Sequence, residues 1–454
     1  MTAAFVICEY NPFHNGHAYH LDITRKSLQP DVLVCVMSGH FTQRGSPAIA
    51  DKWSRARMAL YAGADLVLEL HPVYACSSAE SFARGALLTA SRLGVGGWLS
   101  FGAENTNIRL LGELGKILNE EPEPFKSLLG ASLKKGLSYA AARQNALIGC
   151  YANANANEHA LASAGFPARE TIGGEQLGAI LKAPDNILSI EYIRAIEHYN
   201  LPFTPFAVQR AQNGGDSAPR YRNASAIRDS IRGLYDNNRG GFLRFCGDGV
   251  PEDPVTDDVM PDQLTLPAYA KALLASEFSL GRGPVFDDAF FSRAATMLIR
   301  DGARALRDFK DVSEGLERRL YAAARTARDY NEFIGKAATK RYPKSRVRRI
   351  LTRFLLGYGI AETDGIGASD GPPYLRVLGF TQSGRKLLSQ SKPSAPVITN
   401  YKKLANADPR SQAFMRLEAK ATDIYVSAFQ NAGFHTAGQD FIRGPARLRI
   451  PRYG

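Results

Sequence analysis

Short, nearly unbroken apolar runs alternate with amphipathic stretches along the first hundred residues. AAFVICEY (3–10), DVLVCVMSG (31–39), ADLVLELH (64–71) and GGWLSFGAE (96–104) read as strands. Between them, NGHAYHLDITRKSL (15–28) and DKWSRARMALYAGA (51–64) read as helices, the second with apolar Met58, Ala59 and Ala62. Strands that are apolar throughout and separated by helices predict a parallel sheet covered on both faces. The expected domain is doubly wound α/β with right-handed connections.

Further on, the pattern is mostly helical over 107–150. The Ala/Asn-biased YANANANEHALASAG (151–165) reads as a helix or a loop. APDNILSIEYIRAIEHYN (183–200) reads as a helix capped by Asp185 or Asn186. FTPFAVQRA (203–211) reads as a strand, and YRNASAIRDSIRGL (221–234) as a helix with Ser225 near its cap. GDGVPEDPVTDDVMPDQ (247–263), rich in Pro, Gly and acid, reads as a linker. The expected division is a sheet-bearing domain over 1–245, a linker over 246–265 and a mostly helical, basic domain over 266–454.

Composition narrows the class. At 454 residues the chain exceeds one ordinary core, and 45% hydrophobic with 22% charged residues is a globular balance. No run is long enough to span a membrane, and the first residues lack the basic start of a secretion signal. Five scattered cysteines without a CxxC pair suit neither a zinc knuckle nor a disulfide framework, so a reducing cytoplasm is expected. The net charge of +12 suits a polyanionic partner such as nucleic acid, or reflects solubility alone.

The polar break after the first run carries the most chemistry. His14-Asn15-Gly16-His17 sits where the first strand gives way to the first helix. In a parallel α/β sheet, ligands bind at the carboxyl ends of the strands. A helix N-terminus there offers unpaired N–H groups and partial positive charge. Gly16 would let the backbone approach a ligand. Imidazoles at this point can hydrogen-bond phosphate oxygens and offset charge as a pyrophosphate leaves. His14 and His17 are therefore catalytic candidates for nucleotidyl transfer. The alternative is a capping or metal-binding pair, but the spacing offers no evident third ligand, and no metal site is assigned. Glu9 is a poor phosphate neighbour and reads as orienting His14, Lys52 or a substrate. His20 reads as structural.

EYNPFHNGHAYHL (9–21) closely resembles the start of the bacterial tRNA(Met) cytidine acetate ligases, a family within the HxGH nucleotidyltransferases of Rossmann-like fold. Further blocks in the same order extend the resemblance over most of the chain: MSGHFTQRGSPAIADKWSRARMAL (37–60), FGAEN (101–105), NILSIEYIRAI (186–196), DVSEGLE (311–317), KRYPKSRVRRIL (340–351) and VLGFTQSGRKLL (377–388). One departure is visible: the family more usually reads Ser-Gly-Asn where this chain has Ser38-Gly39-His40. The resemblance implies an ATP- and acetate-activating Rossmann-like domain over 1–245 and a tRNA-binding domain over 266–454. It implies adenylation of acetate to acetyl-AMP, then transfer of the acetyl group to the wobble cytidine of elongator tRNA(Met), giving N4-acetylcytidine. ATP binding is implied along Ile7, Cys8, Glu9, Tyr10, Asn11, Pro12, Phe13, His14, Asn15, Gly16, His17, Ala18, Tyr19 and His20, and at Gly102, Asn186 and Arg210. Mg²⁺ is expected to bridge the triphosphate.

Several of these residues have plainer readings beside the functional one. Gly102 leaves room for a base or ribose after a strand. Asn186 reads an adenine edge or caps its helix. Ser225 and Arg228 contact phosphate, or are a cap and a solvated arginine. Lys52 and Arg55 neutralise phosphate or acetate, or face water; Lys52 is a third catalytic candidate. From Lys340 to Arg353, seven cations stand without an acid: Lys340, Arg341, Lys344, Arg346, Arg348, Arg349 and Arg353. Val347, Ile350, Leu351 and Phe354 recur among them at helical spacing. One face then packs while the cations reach RNA, with Tyr342 placed to stack on a base; the alternative is a solvated helix face. Two other functions fit less fully. Adenylylation of a small metabolite leaves the C-terminal half idle. RNA binding by an inactive nucleotide fold does not explain an intact His14, Gly16 and His17.

Overall fold

The computed structural model describes residues 1–161, 172–210, 222–237, 264–313, 315–404 and 406–448, with the backbone alone at 153–161 and 237. Its centre is five strands: β1 (Ala3–Cys8), β2 (Val32–Ser38), β3 (Leu66–Leu70), β4 (Gly97–Ala103) and β5 (Phe203–Gln209). They lie in the order β5-β4-β1-β2-β3, with each neighbouring pair parallel. The chain winds outward from β1 to β3 on one side and from β4 to β5 on the other. The order therefore reverses between β1 and β4. At such a switch point the loops leave in opposite directions and open a crevice above the strand ends.

Alternate side chains of a strand face opposite sides, and the packing follows that rule. Phe5, Val34, Val36, Leu66, Leu68 and Leu99 enter one core with α3 (Ala79–Ser91), α4 (Ile108–Glu120) and α5 (Pro184–His198). Val6, Cys8, Leu33, Cys35, Met37 and Val67 enter the other. There they meet α2 (Lys52–Tyr61), Ile227 and Ile231 of α6 (Ala224–Asn237), and α7 (Ala268–Ser279). Both faces are covered, which is why the strands read as continuous apolar runs. Helix α1 (Asn15–Leu28) occupies its expected span.

The helix starts differ from expectation in two places. Helix α5 begins with Pro184, whose fixed φ suits a first helical position, and Ala183 is its N-cap in place of Asp185 or Asn186. At α6, Asn223 takes the capping role, its Oδ1 accepting the Ala226 N–H at 2.9 Å, and Ser225 lies inside the helix. The Ala/Asn-rich stretch continues the helix Tyr139–Leu161, and its last residues, 162–165, lie outside the described residues.

Most of 246–265 also lies outside the described residues. Leu264 is buried in the second core, and the Thr265 carbonyl accepts the Asn15 N–H at 3.1 Å. The C-terminal part is mostly helical, yet it returns strands to the sheet. β6 (Leu375–Phe380) runs antiparallel to β3, and β7 (Val397–Ile398) and β8 (Ala446–Arg447) pair with β6. The sheet is thus not confined to 1–245. The first core runs on through Phe290, Leu351 and Tyr425. Among the described residues, no helix is long and apolar enough to cross a membrane.

Candidate active site

His14 is the N-cap of α1, and its Nδ1 accepts the Gly16 N–H at 3.1 Å. His17, at N3, accepts the His14 N–H on its own Nδ1 at 3.2 Å. The two histidines thus form a reciprocal capping box, with imidazoles in place of the usual hydroxyl and carboxamide. Their rings stack at 3.7 Å. Because each Nδ1 accepts, the proton of each neutral ring sits on Nε2. The pair therefore presents two Nε2–H donors at the helix N-terminus. Burial, with Arg210 and Arg228 nearby, lowers His14 to about 4. Burial, then His14, His20 and Arg210, hold His17 well below its ordinary range. Both rings are neutral at pH 7.

Gly16 is closely approached by the pair itself. A methyl there would sit 3.0 Å from His14 Cε1, so it is the imidazole that approaches the backbone. The rest of 7–20 divides by burial. Cys8, Tyr10 and Phe13 belong to the second core, while Glu9 and the stretch from Asn15 to His20 are half-buried. Tyr10 takes a left-handed backbone (φ +48°), with its ring packed on Phe13 and His17. His20 Nε2 and Ser100 Oγ are hydrogen-bonded at 2.9 Å, which ties the flank of α1 to β4.

The loop between β1 and α1 is held from below and beside. Arg55, fully buried, donates to the carbonyls of Glu9 (2.6 Å), Ser38 (3.0 Å), Ala50 (3.0 Å) and Gly39. It neither faces water nor reaches toward a ligand; it ties the ends of β1 and β2 together. Arg228 donates to the Asn11 carbonyl at 2.6 Å and to Ser225 Oγ at 3.0 Å, so α6 brings both predicted residues to the histidine loop. Asn11 accepts the Ile49 N–H at 2.8 Å.

Across the switch point, a Cβ at Gly102 would meet nothing within 4 Å, leaving open space beside β4. Asn186 is buried and neither caps its helix nor faces that space. Its Oδ1 accepts the Glu104 and Asn105 N–H groups at 3.0 and 2.9 Å, and its Nδ2 donates to Ile180, so it fixes the loop after β4. Arg210 follows β5, half-exposed, paired with Asp185 and 3.7 Å from Glu104. Its field reaches both histidines.

Other expectations need correction. Lys52 is fully buried between Glu69 (2.8 Å) and Asp440 (2.7 Å), a structural cation with no surface left for a phosphate. Helix α8 (Lys344–Leu356) packs its apolar face as expected, but not all seven cations face outward. Arg353 is buried and bonds the Tyr358 carbonyl at 3.4 Å. Arg346 donates to the Asp311 carbonyl at 2.8 Å, and Arg349 is largely covered beside Asp311. Arg348 is half-buried over the Tyr330 ring, and Tyr342 is buried, so its ring is no open stacking platform. Lys340, Arg341 and Lys344 are the exposed members. His40 is buried against Tyr425, with rings 4.2 Å apart, so the departure from Ser-Gly-Asn is absorbed in the core.

The comparisons agree with this geometry. Residues 1–440 match the model of the HIGH Nucleotidyl Transferase family. The tRNA(Met) cytidine acetate ligase of Acetivibrio thermocellus is 37% identical over 446 residues, covering 98% of this chain and 99% of that protein. This chain belongs to that ligase family. The namesake from Thermoanaerobacter sp. is 34% identical, with 98% and 99% covered. Thermotoga maritima TmcAL bound with alpha-thio ATP superposes with a TM-score of 0.82 at 30% identity, over 99% of this chain and 100% of that one. Its apo form gives a TM-score of 0.83.

Sequence reasoning singled out the histidines but missed what surrounds them. Gln43, whose N–H bonds Glu9 Oε1 at 2.6 Å, and Asp185 and Glu104, which hold Arg210, carry no motif of their own. The signal available for Asp185 was its place beside Asn186 in a block already matched to the family.

Proposed function

We propose that this chain is an ATP-dependent ligase that adenylates acetate and transfers the acetyl group to the wobble cytidine of elongator tRNA(Met), forming N4-acetylcytidine in the cytoplasm. The observation that carries the reading is the pair of outward Nε2–H donors at the switch point, on a chain whose relatives over almost its full length bear that name. The crevice suits a nucleotide: donors at a helix start, open space at Gly102, and two arginines on its rim.

A carboxylate oxygen of acetate attacks the α-phosphorus of ATP, and the bond to the bridging oxygen of pyrophosphate breaks. His14 and His17 stabilise the crowded α-phosphate through Nε2–H, and Arg228 and Arg210 neutralise the departing charge. Arg210 exchanges Asp185 for phosphate in doing so. Such transfers need positioning and electrostatics more than a protein nucleophile. The cytidine amine then attacks the acetyl carbonyl, and AMP leaves. A base in an anticodon loop is already single-stranded, so presenting it costs little. Mg²⁺ belongs to this reading as a counter-ion of the triphosphate oxygens. Among the described residues, no group of three or more His, Cys, Asp or Glu is placed to hold it.

The test is transfer of labelled acetate to unmodified tRNA, with ATP present or omitted. ATP-dependent label in N4-acetylcytidine is the expected result; ATP turnover on another acid with no label in RNA overturns the substrate assignment. The exposed basic rim gives a second prediction. Reversing charge at Lys340 and Lys344 is expected to weaken tRNA binding about tenfold or more and to flatten its salt dependence by about two counter-ions. Acetate-dependent ATP–pyrophosphate exchange should persist. Unchanged tRNA affinity in a titration at fixed salt rejects the rim as the RNA contact.

A further inference from the structure

We propose that Glu9 is the proton acceptor for the cytidine amine during acetyl transfer, an inference that rests on the ligase reading above. When the amine attacks, the new N–C bond leaves an extra proton on nitrogen. Breaking the acetyl C–O bond to AMP completes the amide only when that proton is taken up. The balanced step forms the N4–C bond, breaks the C–O bond, and moves one proton from N4 to a Glu9 carboxylate oxygen. The proton later returns to water.

The geometry singles out Glu9 by what it leaves free. It directly follows β1, at the start of the histidine loop, and is half-buried. Its carbonyl is clamped by Arg55, and its Oε1 accepts the Gln43 N–H at 2.6 Å. No other described residue bonds its Oε2. Glu9 and His14 flank Asn11 on the loop after β1, and Arg228, which bonds the Asn11 carbonyl at 2.6 Å, acts on both side chains. The other titratable groups there stand beside cations or accept backbone donors. Asp185 is paired with Arg210, and Glu104, whose buried Oε2 bonds no described residue, stands with its Oε1 3.7 Å from the same guanidinium, which favours its charged form over proton uptake. The Nδ1 lone pairs of His14 and His17 are occupied by backbone N–H groups, so these rings donate and do not accept. Burial raises the Glu9 carboxyl above its ordinary range, against the pull of Gln43, Arg228, Arg44 and Arg55. A stronger base near working pH is the usual effect of such an environment.

A purely structural role is the rival, since Glu9 also tethers the loop that carries Gln43. Two variants separate the roles. Glu9→Gln keeps an oxygen for the Gln43 N–H but cannot take a proton. Glu9→Asp keeps the charge but draws it back from Gln43. Transfer to tRNA is measured with acetyl-AMP supplied, beside acetate-dependent ATP–pyrophosphate exchange. In Glu9→Gln, transfer should fall about 100-fold more than exchange does, and the acid limb of the transfer pH profile should vanish. Glu9→Asp should transfer faster than Glu9→Gln and retain that limb. A tether alone predicts the reverse ranking, and that ranking, or equal loss of both half-reactions, overturns the proposal. Wild-type enzyme run in parallel isolates the premise: failure of the wild type to acetylate tRNA rejects the ligase reading itself.

Discussion

Replacing Lys52 with methionine is expected to remove about 3–5 kcal/mol of stability, the usual cost of stripping one partner from a buried ion pair. Lys52 Nζ lies 2.8 Å from Glu69 Oε2 and 2.7 Å from Asp440 Oδ1, and all three side chains are buried. Arg376 reaches Asp440 at 3.4 Å, and Tyr374 and Tyr401 donate to Glu418 beside them. Two cations thus face three carboxylates. Burial and the adjacent Glu418 push the Glu69 carboxyl well up, against the pull of Lys52, so burial opposes its charge. Removing Lys52 takes away one of these two cations and leaves Arg376 beside the buried carboxyl groups. Asp440→Asn in the same chain should recover part of the loss, and Glu69→Gln alone should cost little. Urea unfolding of the three variants beside the wild type checks the order. A Lys52→Met protein with the wild-type midpoint but no adenylation would instead make Lys52 a catalytic group.

That cluster marks the limit of what one-dimensional pattern reveals. The strands and α1 are legible because each depends on neighbours in sequence: apolar runs, a polar break at His14, and Gly16 after it. Lys52 is not legible, because Asp440, on the short helix Gln439–Ile442, comes from nearly the far end of the chain. The return of β6 to the edge of β3 is hidden likewise, since its register depends on Leu66 to Leu68. In the basic run, helical spacing correctly placed Val347, Ile350, Leu351 and Phe354 inside. Arg353, three residues after Ile350 and beside Phe354, shares their stripe and goes in with them. The site was legible as residue types, and its tautomers were not. Which imidazole nitrogen points outward depends on the capping box, a feature visible only once the helix start is built.

The capping box also separates the two roles of His17. His17→Ala should lower adenylation about 10²–10³-fold, the cost of losing one donor to developing phosphate charge, while tRNA binding persists. It also removes the acceptor for the His14 N–H, worth about 0.5–2 kcal/mol as a cap. His17→Gln supplies the side chain that normally closes a capping box at N3. It should therefore restore helix stability but not adenylation. Recovery of both by Gln would reduce His17 to a cap; exchange kinetics and thermal unfolding on the same samples decide. The pH dependence adds a further check. Folding holds His14 at about 4, below the roughly 6.5 of an unfolded histidine. The unfolded chain therefore binds more protons between these values, and stability rises with pH there. The histidine contribution is fully present above about pH 6.5 and is lost as pH falls toward 4. In His14→Gln, that part of the acid destabilisation should shrink. Between pH 7 and 8 the free enzyme keeps both rings neutral, so a donor pair of fixed charge meets the triphosphate across that range.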